Sequence, residues 1–268
     1  MQITNIAGYK FTPLDDLSVL QTALLEQAVM LDCKGTILLS EEGINLNLAA
    51  HAEKLTVFKT WLRNDSRFAD MTFRESLSAS QPFKFMKVKV KKEIITMHQP
   101  EVRPEMQRAP SITPAEFKQW LDEKRDITVL DTRNDYEVRF GTFEQAEHFQ
   151  LADFGEFPAA TTALQPGKPV VMFCTGGIRC EKAAVHLLNV GFPEVYQLDG
   201  GILNYFSEVG GAHYQGECFV FDQRVAVNPQ LEETGTVQCT ACQGPVSKEQ
   251  QASSDFITGV SCPMCVNA

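Results

Sequence analysis

The segment VVMFCTGGIRCEKAAVHLL, residues 170–188, constrains the fold more than any other. Four consecutive apolar residues, Val170 to Phe173, leave no polar face, so a strand here must be covered on both sides. Gly176 and Gly177 then let the backbone turn. Beyond them, Cys180, Ala183, Ala184, Leu187 and Leu188 recur at the spacing of a helical apolar stripe. Two further apolar runs, ITVLD (127–131) and VYQL (195–198), repeat the strand pattern. Short strands of this kind, alternating with helical segments, predict an α/β domain with a parallel sheet and helices on both faces.

The first hundred residues follow a different rhythm. Leu17, Leu20, Leu24 and Leu31 stand at helical spacing, and Asp15 and Asp16 suit the positive end of that helix. Ile44, Leu46 and Leu48 alternate with Asn45 and Asn47, the period of a half-buried strand. Leu55, Phe58 and Leu62 predict a second helix, and FMKVKVKKEII (85–95) returns to a strand. With a first strand near residues 3–10, the order is βαββαβ, a ferredoxin-like α+β plan. A proline-rich, aperiodic stretch follows. The expected division is therefore a domain at 1–97, a linker at 98–110, the parallel-sheet domain at 111–212 and an extension at 213–268.

In parallel α/β sheets, ligands bind beyond the carboxyl ends of the strands. Cys174 follows VVMF directly, so it stands at such an end. The amides of Thr175, Gly176, Gly177 and Ile178, with the start of the next helix, predict an anion-binding cradle. A thiol there has a lowered pKa, and Arg179 adds a fixed positive charge. Cys174 and Arg179 are thus the candidate catalytic pair. Cys180 lies on the apolar stripe, where packing is the expected role; a second thiol that resolves Cys174 is the alternative.

The extension is polar, but it carries CTAC and CPMC, two Cys-x2-Cys pairs. Cys239, Cys242, Cys262 and Cys265 at this spacing predict a closed tetrahedral zinc site, with an iron–sulfur cluster as the lesser alternative. A bound metal explains how a segment with few apolar residues folds, because binding energy substitutes for a core. Cys33 and Cys218 sit among apolar neighbours and are read as packing residues. No apolar run is long enough for a membrane span. The start MQITNIAGYKFTPLDD lacks a basic region followed by an apolar one, so a cytoplasmic protein is expected. There, cysteines serve as ligands or catalysts rather than disulfides.

Several of these segments resemble the rhodanese family. LDTRNDYEVRFGTFEQA resembles its Asp-x-Arg…Glu…Gly element, FCTGGIRCEKAA its active-site loop, and GFPEVYQLDGGILNY its closing strand and Gly-Gly turn. The resemblance implies a rhodanese-like α/β domain in which Cys174 carries a persulfide and Asp131 and Arg133 brace the site. Two departures, GTFEQA and Tyr205 where Trp is frequent, are read as packing changes. With GTILLSEEGINLNLA and CFVFDQRVAV added, the chain resembles the bacterial rhodanese-domain tRNA uridine hydroxylases. That likeness implies oxygen-dependent conversion of wobble uridine to 5-hydroxyuridine, with molecular oxygen as co-substrate and tRNA as partner. The alternative is a rhodanese-type sulfurtransferase that carries a cysteine persulfide. A Cys-loop phosphatase ranks lower, because the loop from Cys174 to Arg179 is one residue shorter than Cys-x5-Arg. No NAD or FAD fingerprint of the Gly-x-Gly-x-x-Gly kind is present.

A net charge of −10 argues against nucleic-acid binding, but its distribution does not. Residues 1–100 hold 12 basic and 11 acidic side chains, so the acidity belongs to the remainder. Within PFKFMKVKVKK, Lys84, Lys87, Lys89, Lys91 and Lys92 have no acid among them, and Lys87, Lys89 and Lys91 share one strand face. Such a row either protects an edge strand or contacts RNA phosphates. The tRNA resemblance favours the second. Phe83 and Phe85 are expected in the core, with base stacking as the alternative.

Overall fold

Two five-stranded sheets frame the protein in the computed structural model, which describes residues 2–266. The first sheet takes β1 (Ile3–Phe11), β2 (Lys34–Ser40), β3 (Gly43–Ala50), β4 (Arg74–Ser78) and β5 (Met86–Val90), in the order β4-β1-β3-β2-β5. Helices α1 (Leu17–Met30) and α2 (Ala52–Arg63) cover one face. There Ile37, Leu39, Ile44, Leu46 and Leu48 pack against Leu20, Leu24, Leu55 and Phe58. The first four strands follow the ferredoxin-like order, and β5 is an addition that pairs parallel to β2.

Periodicity assigns the last βαββαβ strand to the FMKVKVKKEII segment. In the structure RESLS (74–78) holds that place. Its one apolar residue, Leu77, is exposed, so β4 lacks an apolar face and is held by backbone pairing to β1. Periodicity does not reveal an edge strand of this kind.

The second sheet has the order β6-β11-β10-β7-β9, and every neighbouring pair is parallel. Its strands are β6 (Ser111–Ile112), β7 (Thr128–Asp131), β9 (Glu147–His148), β10 (Val170–Phe173) and β11 (Val195–Leu198). The outlying β8 is Gly141–Phe143, and the helices are α3 (Pro114–Asp122), α4 (Asp135–Val138), α5 (Phe157–Ala160), α6 (Ile178–Asn189) and α7 (Gly201–Val209). Val170 and Met172 face the α5 and α6 side, whereas Val171 and Phe173 face α3 and α7. Hence β10 is apolar throughout. Tyr205 is buried with its hydroxyl donating to the Ala212 carbonyl at 2.8 Å, a packing role. Met97, Val102 and Ala109 also enter this core, which pins the proline-rich crossing segment in place.

The extension adds β12 (Tyr214–Gly216) on β8, then a hairpin of β13 (Cys218–Phe219) and β14 (Ala226–Val227). A small unit follows, with β15 (Val237–Gln238), β16 (Pro245–Val246), α8 (Lys248–Gln251) and α9 (Pro263–Val266) around Cys239, Val246 and Cys262. Among the described residues no helix is long and apolar enough to cross a membrane.

The uncovered face of the first sheet looks onto the second. Lys182 of α6, almost fully buried, donates to Glu42 at 2.7 Å and Glu93 at 2.6 Å. A charge this deep is tolerable only when paired, so these two contacts hold the sheets together.

Candidate active site

Cys174 follows Phe173, the last residue of β10, and α6 begins four residues later at Ile178. Gly177 lies between them with φ of 99°, a conformation in which a side chain is strained. Its amide donates to Cys174 Sγ at 3.1 Å, and an added Cβ would meet the Tyr9 hydroxyl at 3.0 Å. The start of α7 holds the same loop: Ile202 N–H donates to the Cys174 carbonyl and Leu203 N–H to that of Thr175. Gly201 is required there, because a Cβ would lie 2.3 Å from the Cys174 oxygen.

Burial opposes ionisation of Cys174, but its neighbours overcome it. The Cys180 thiol, the Arg179 guanidinium and the amides of Arg179 and Gly177 bring the Cys174 pKa down to about 5. Cys180 moves the other way: burial, and then the adjacent Cys174 sulfur, hold it well above the ordinary thiol value. Cys180 packs in the core with Ala183, Ala184 and Leu187, and also touches Thr132 Oγ1 at 3.6 Å. It is therefore both a core residue and a hydrogen-bond partner of the candidate nucleophile. Cys218 and Cys33 are buried as expected, pushed up by burial to about 12 and about 11.

Arg179 does not reach out alone. Buried Glu137 of α4 grips it with two bonds of 2.5 and 2.8 Å, so the charge beside Cys174 is oriented by a fixed partner. Behind it, Asp131 and Arg133 form a second ion pair with both side chains fully buried. Arg133 Nε and Nη2 bond the carboxylate, and Nη2 also donates to the Gly141 carbonyl at 2.6 Å. Thr132 between them donates from its amide and hydroxyl to the Phe173 carbonyl, one residue before Cys174.

Cys174, Thr175, Gly176, Ile178 and Arg179 line a cavity of about 1240 Å³ between the two sheets. Its opposite wall is the polar face of the first sheet, with Tyr9, Thr36, Leu38, Asn45 and Asn47. Tyr9 donates to Glu181 Oε1 at 3.3 Å, and Gln197 donates to the other oxygen at 3.3 Å. At Gly176 an added Cβ would meet nothing within 4 Å, so the loop is open towards this space. Sequence reasoning missed Tyr9 and Glu137. The signal for Glu137 was present in DTRNDYE; Tyr9 carried none, because it arrives from the other sheet.

The lysines occupy an edge strand, and strand register assigns them a face. Lys87 pairs with Thr36 and Lys89 with Leu38, so both lie on the face that lines the cavity. Lys84, Lys91 and Lys92 are exposed nearby. The expectation that Phe83 and Phe85 are core residues is not met. Phe85 is 65% exposed with the Lys87 ammonium 5.7 Å from its ring centre, and Phe83 lines the cavity. Both follow the bend at Ala79 and Ser80, before β5 acquires an apolar side.

In the extension the four sulfurs of Cys239, Cys242, Cys262 and Cys265 lie within 4.8 Å of one another. Sulfur–sulfur separations are 4.0 Å (Cys239–Cys265), 3.6 Å (Cys242–Cys262) and 3.7 Å (Cys262–Cys265). A tetrahedral ion with Zn–S near 2.3 Å requires sulfurs roughly 3.8 Å apart. The donor set therefore fits a metal ion and is compatible with zinc. Arg139 ties this unit to α4 by donating to the Cys242 carbonyl at 2.7 Å.

Comparison with known proteins agrees with this architecture. Residues 3–94 match the UPF0176 acylphosphatase like domain, and residues 113–208 match the rhodanese-like domain. A Cupriavidus taiwanensis protein named tRNA uridine(34) hydroxylase is 55% identical over 274 residues, covering 99% of this chain and 97% of that one. Its namesake from Cupriavidus necator is 54% identical over 100% of this chain and 98% of that one. A third of the same name, from Ralstonia nicotianae, is 51% identical over 100% and 98%. With both domains matched in order and full-length identity above half, the chain belongs to the tRNA uridine(34) hydroxylase family.

Proposed function

We propose that the protein is a cytoplasmic enzyme that hydroxylates the wobble uridine of tRNA to 5-hydroxyuridine, with Cys174 as the reacting group and dioxygen as co-substrate, one oxygen atom going to the base and the other leaving as water with two electrons and two protons from a cellular reductant. The observation that carries this reading is a thiolate-favouring Cys174 beside a 1240 Å³ cavity whose far wall belongs to a second domain. Pockets for one small ligand are commonly about 300–1,000 Å³. A larger, two-walled cleft suits a nucleotide with its flanking chain. Wobble bases lie in a single-stranded loop, so turning one inward costs little unpairing energy.

In this reading residues 1–97 hold RNA, 98–110 connect, 111–212 carry the chemistry and 213–268 brace both. The Gly177 and Arg179 amides and the Arg179 guanidinium keep the Cys174 sulfur anionic. Cys180 remains protonated and donates to it, and Asp131 and Arg133 stiffen the loop from behind. Zinc is the resident ion of the Cys239, Cys242, Cys262 and Cys265 site; it leaves no open position, so its role is to hold the extension folded.

Nucleoside mass spectrometry of tRNA tests the activity. In cells lacking the gene, wild type restores 5-hydroxyuridine under air and Cys174→Ala does not. Restoration by Cys174→Ala, or in the absence of oxygen, overturns the reading.

Two further outcomes are expected. Lys87→Glu with Lys89→Glu weakens tRNA binding roughly tenfold or more at low salt and flattens its salt dependence, because fewer phosphate contacts release counterions. Fluorescence anisotropy across a salt series measures both. Zinc analysis by mass spectrometry should find about one ion per chain, lost in Cys239→Ser with Cys262→Ser. Limited proteolysis should then cut within 228–266 first, since little apolar core remains there.

A further inference from the structure

The β13–β14 hairpin presents an aromatic side chain that the mechanism above does not use. Phe219 and Val220 are buried before the turn and Ala226 and Val227 after it, but Phe221 is 52% exposed. The turn is not loose. Asp222 and Arg224 form a nearly buried ion pair, with Nε to Oδ1 at 2.9 Å. Arg224 Nη1 also donates to Ser76 Oγ at 2.8 Å, and the Gln223 amide donates to the Pro82 carbonyl at 3.1 Å. The hairpin thereby spans both sheets, from the Cys174 side to β4.

Phe221 lines the same cavity as Cys174. Tyr9, Phe73, Phe83 and Phe154 also line it, but among these aromatics Phe221 alone is more than half exposed. Its ring stands edge to face with Phe219 at 5.2 Å, and the Arg179 guanidinium carbon lies 5.9 Å from its centre. Arg179 is the same cation that stabilises the Cys174 thiolate. An apolar ring fixed at this turn beside Arg179 leaves an exposed face on the cavity. A planar ligand face would cover it.

We propose that Phe221 is the stacking platform for the pyrimidine base presented to Cys174. The inference rests on the wobble-uridine reading and names the residue that positions the base. Aromatic stacking suits this task because it orients the ring plane without consuming the polar edges of the base.

Two measurements test it. Phe221→Ala and Phe221→Leu should each lower kcat/KM for tRNA about 10- to 100-fold, whereas Phe221→Tyr stays within about threefold of wild type. Cys174 alkylation and thermal stability should be unchanged in all three. A Leu variant as active as wild type overturns the proposal, since apolar bulk alone would then suffice. Separately, Phe221→Trp gives an emission signal above that of Trp61 and Trp120, which wild type controls for. An anticodon stem-loop RNA with uridine at position 34 should quench it, and the same RNA abasic at that position should not. Equal quenching, or none, overturns stacking of this base. Failure of the functional reading looks different: wild type itself then makes no 5-hydroxyuridine.

Discussion

Replacing Cys174 by Ser should lower tRNA hydroxylation on the order of a thousandfold or more, because a serine hydroxyl in the same cradle stays protonated. The accompanying pH signature is specific to a thiolate. The Cys174 pKa lies near 5, so alkylation by iodoacetamide should be flat from about pH 6 to 8. Below about pH 5 it should fall close to tenfold per unit, as the thiolate takes up a proton. Cys180 and Cys218 are internal controls, since burial raises both, the latter to about 12. Intact-protein and peptide mass spectrometry distinguish the sites. An inflection for Cys174 near pH 8 to 9 would mean that Arg179 and the loop amides do not activate it.

Asp131→Ala should be among the most destabilising single changes, at about 3–5 kcal/mol, because it strands a fully buried Arg133. Arg133 has no reserve: its Nη1 already lacks a partner among the described residues. For a protein of this size the loss corresponds to roughly 6–20 °C in melting temperature. The double change Asp131→Leu with Arg133→Met should recover much of it, since no buried charge then remains. Activity should not recover to the same extent, because the strand end that carries Phe173 and Cys174 depends on this corner for its alignment. The exposed Lys168–Asp126 pair offers the contrast; removing it should cost under about 1 kcal/mol. Equal losses at the two pairs would contradict the burial argument.

Much of this molecule was legible locally. The all-apolar run Val170–Phe173 required a two-sided sheet, and the structure supplies one apolar cluster on each face. The alternation through Ile44, Leu46 and Leu48 marked a half-buried strand, and the spacing of CTAC and CPMC brought four sulfurs together. Each of these is a pattern within a few residues, or a repeat of one chemistry, where spacing dictates geometry. The weakly apolar β4 was not legible, because a strand recruited by backbone pairing leaves no side-chain period.

By itself, then, the sequence determined the elements whose side chains carry a period, and which thiol stands at a strand end. Only the tertiary structure decided what surrounds that thiol. Tyr9 meets Glu181 across 172 residues of chain, Lys182 closes on Glu42 and Glu93, and Phe221 reaches the Arg179 side of the cavity from the extension. The face of the lysine row followed from the register of β5 on β2. Periodicity reports only the neighbours along a helix or strand. The packing of two sheets against each other brings together residues that share no local pattern, and the cavity forms where they meet.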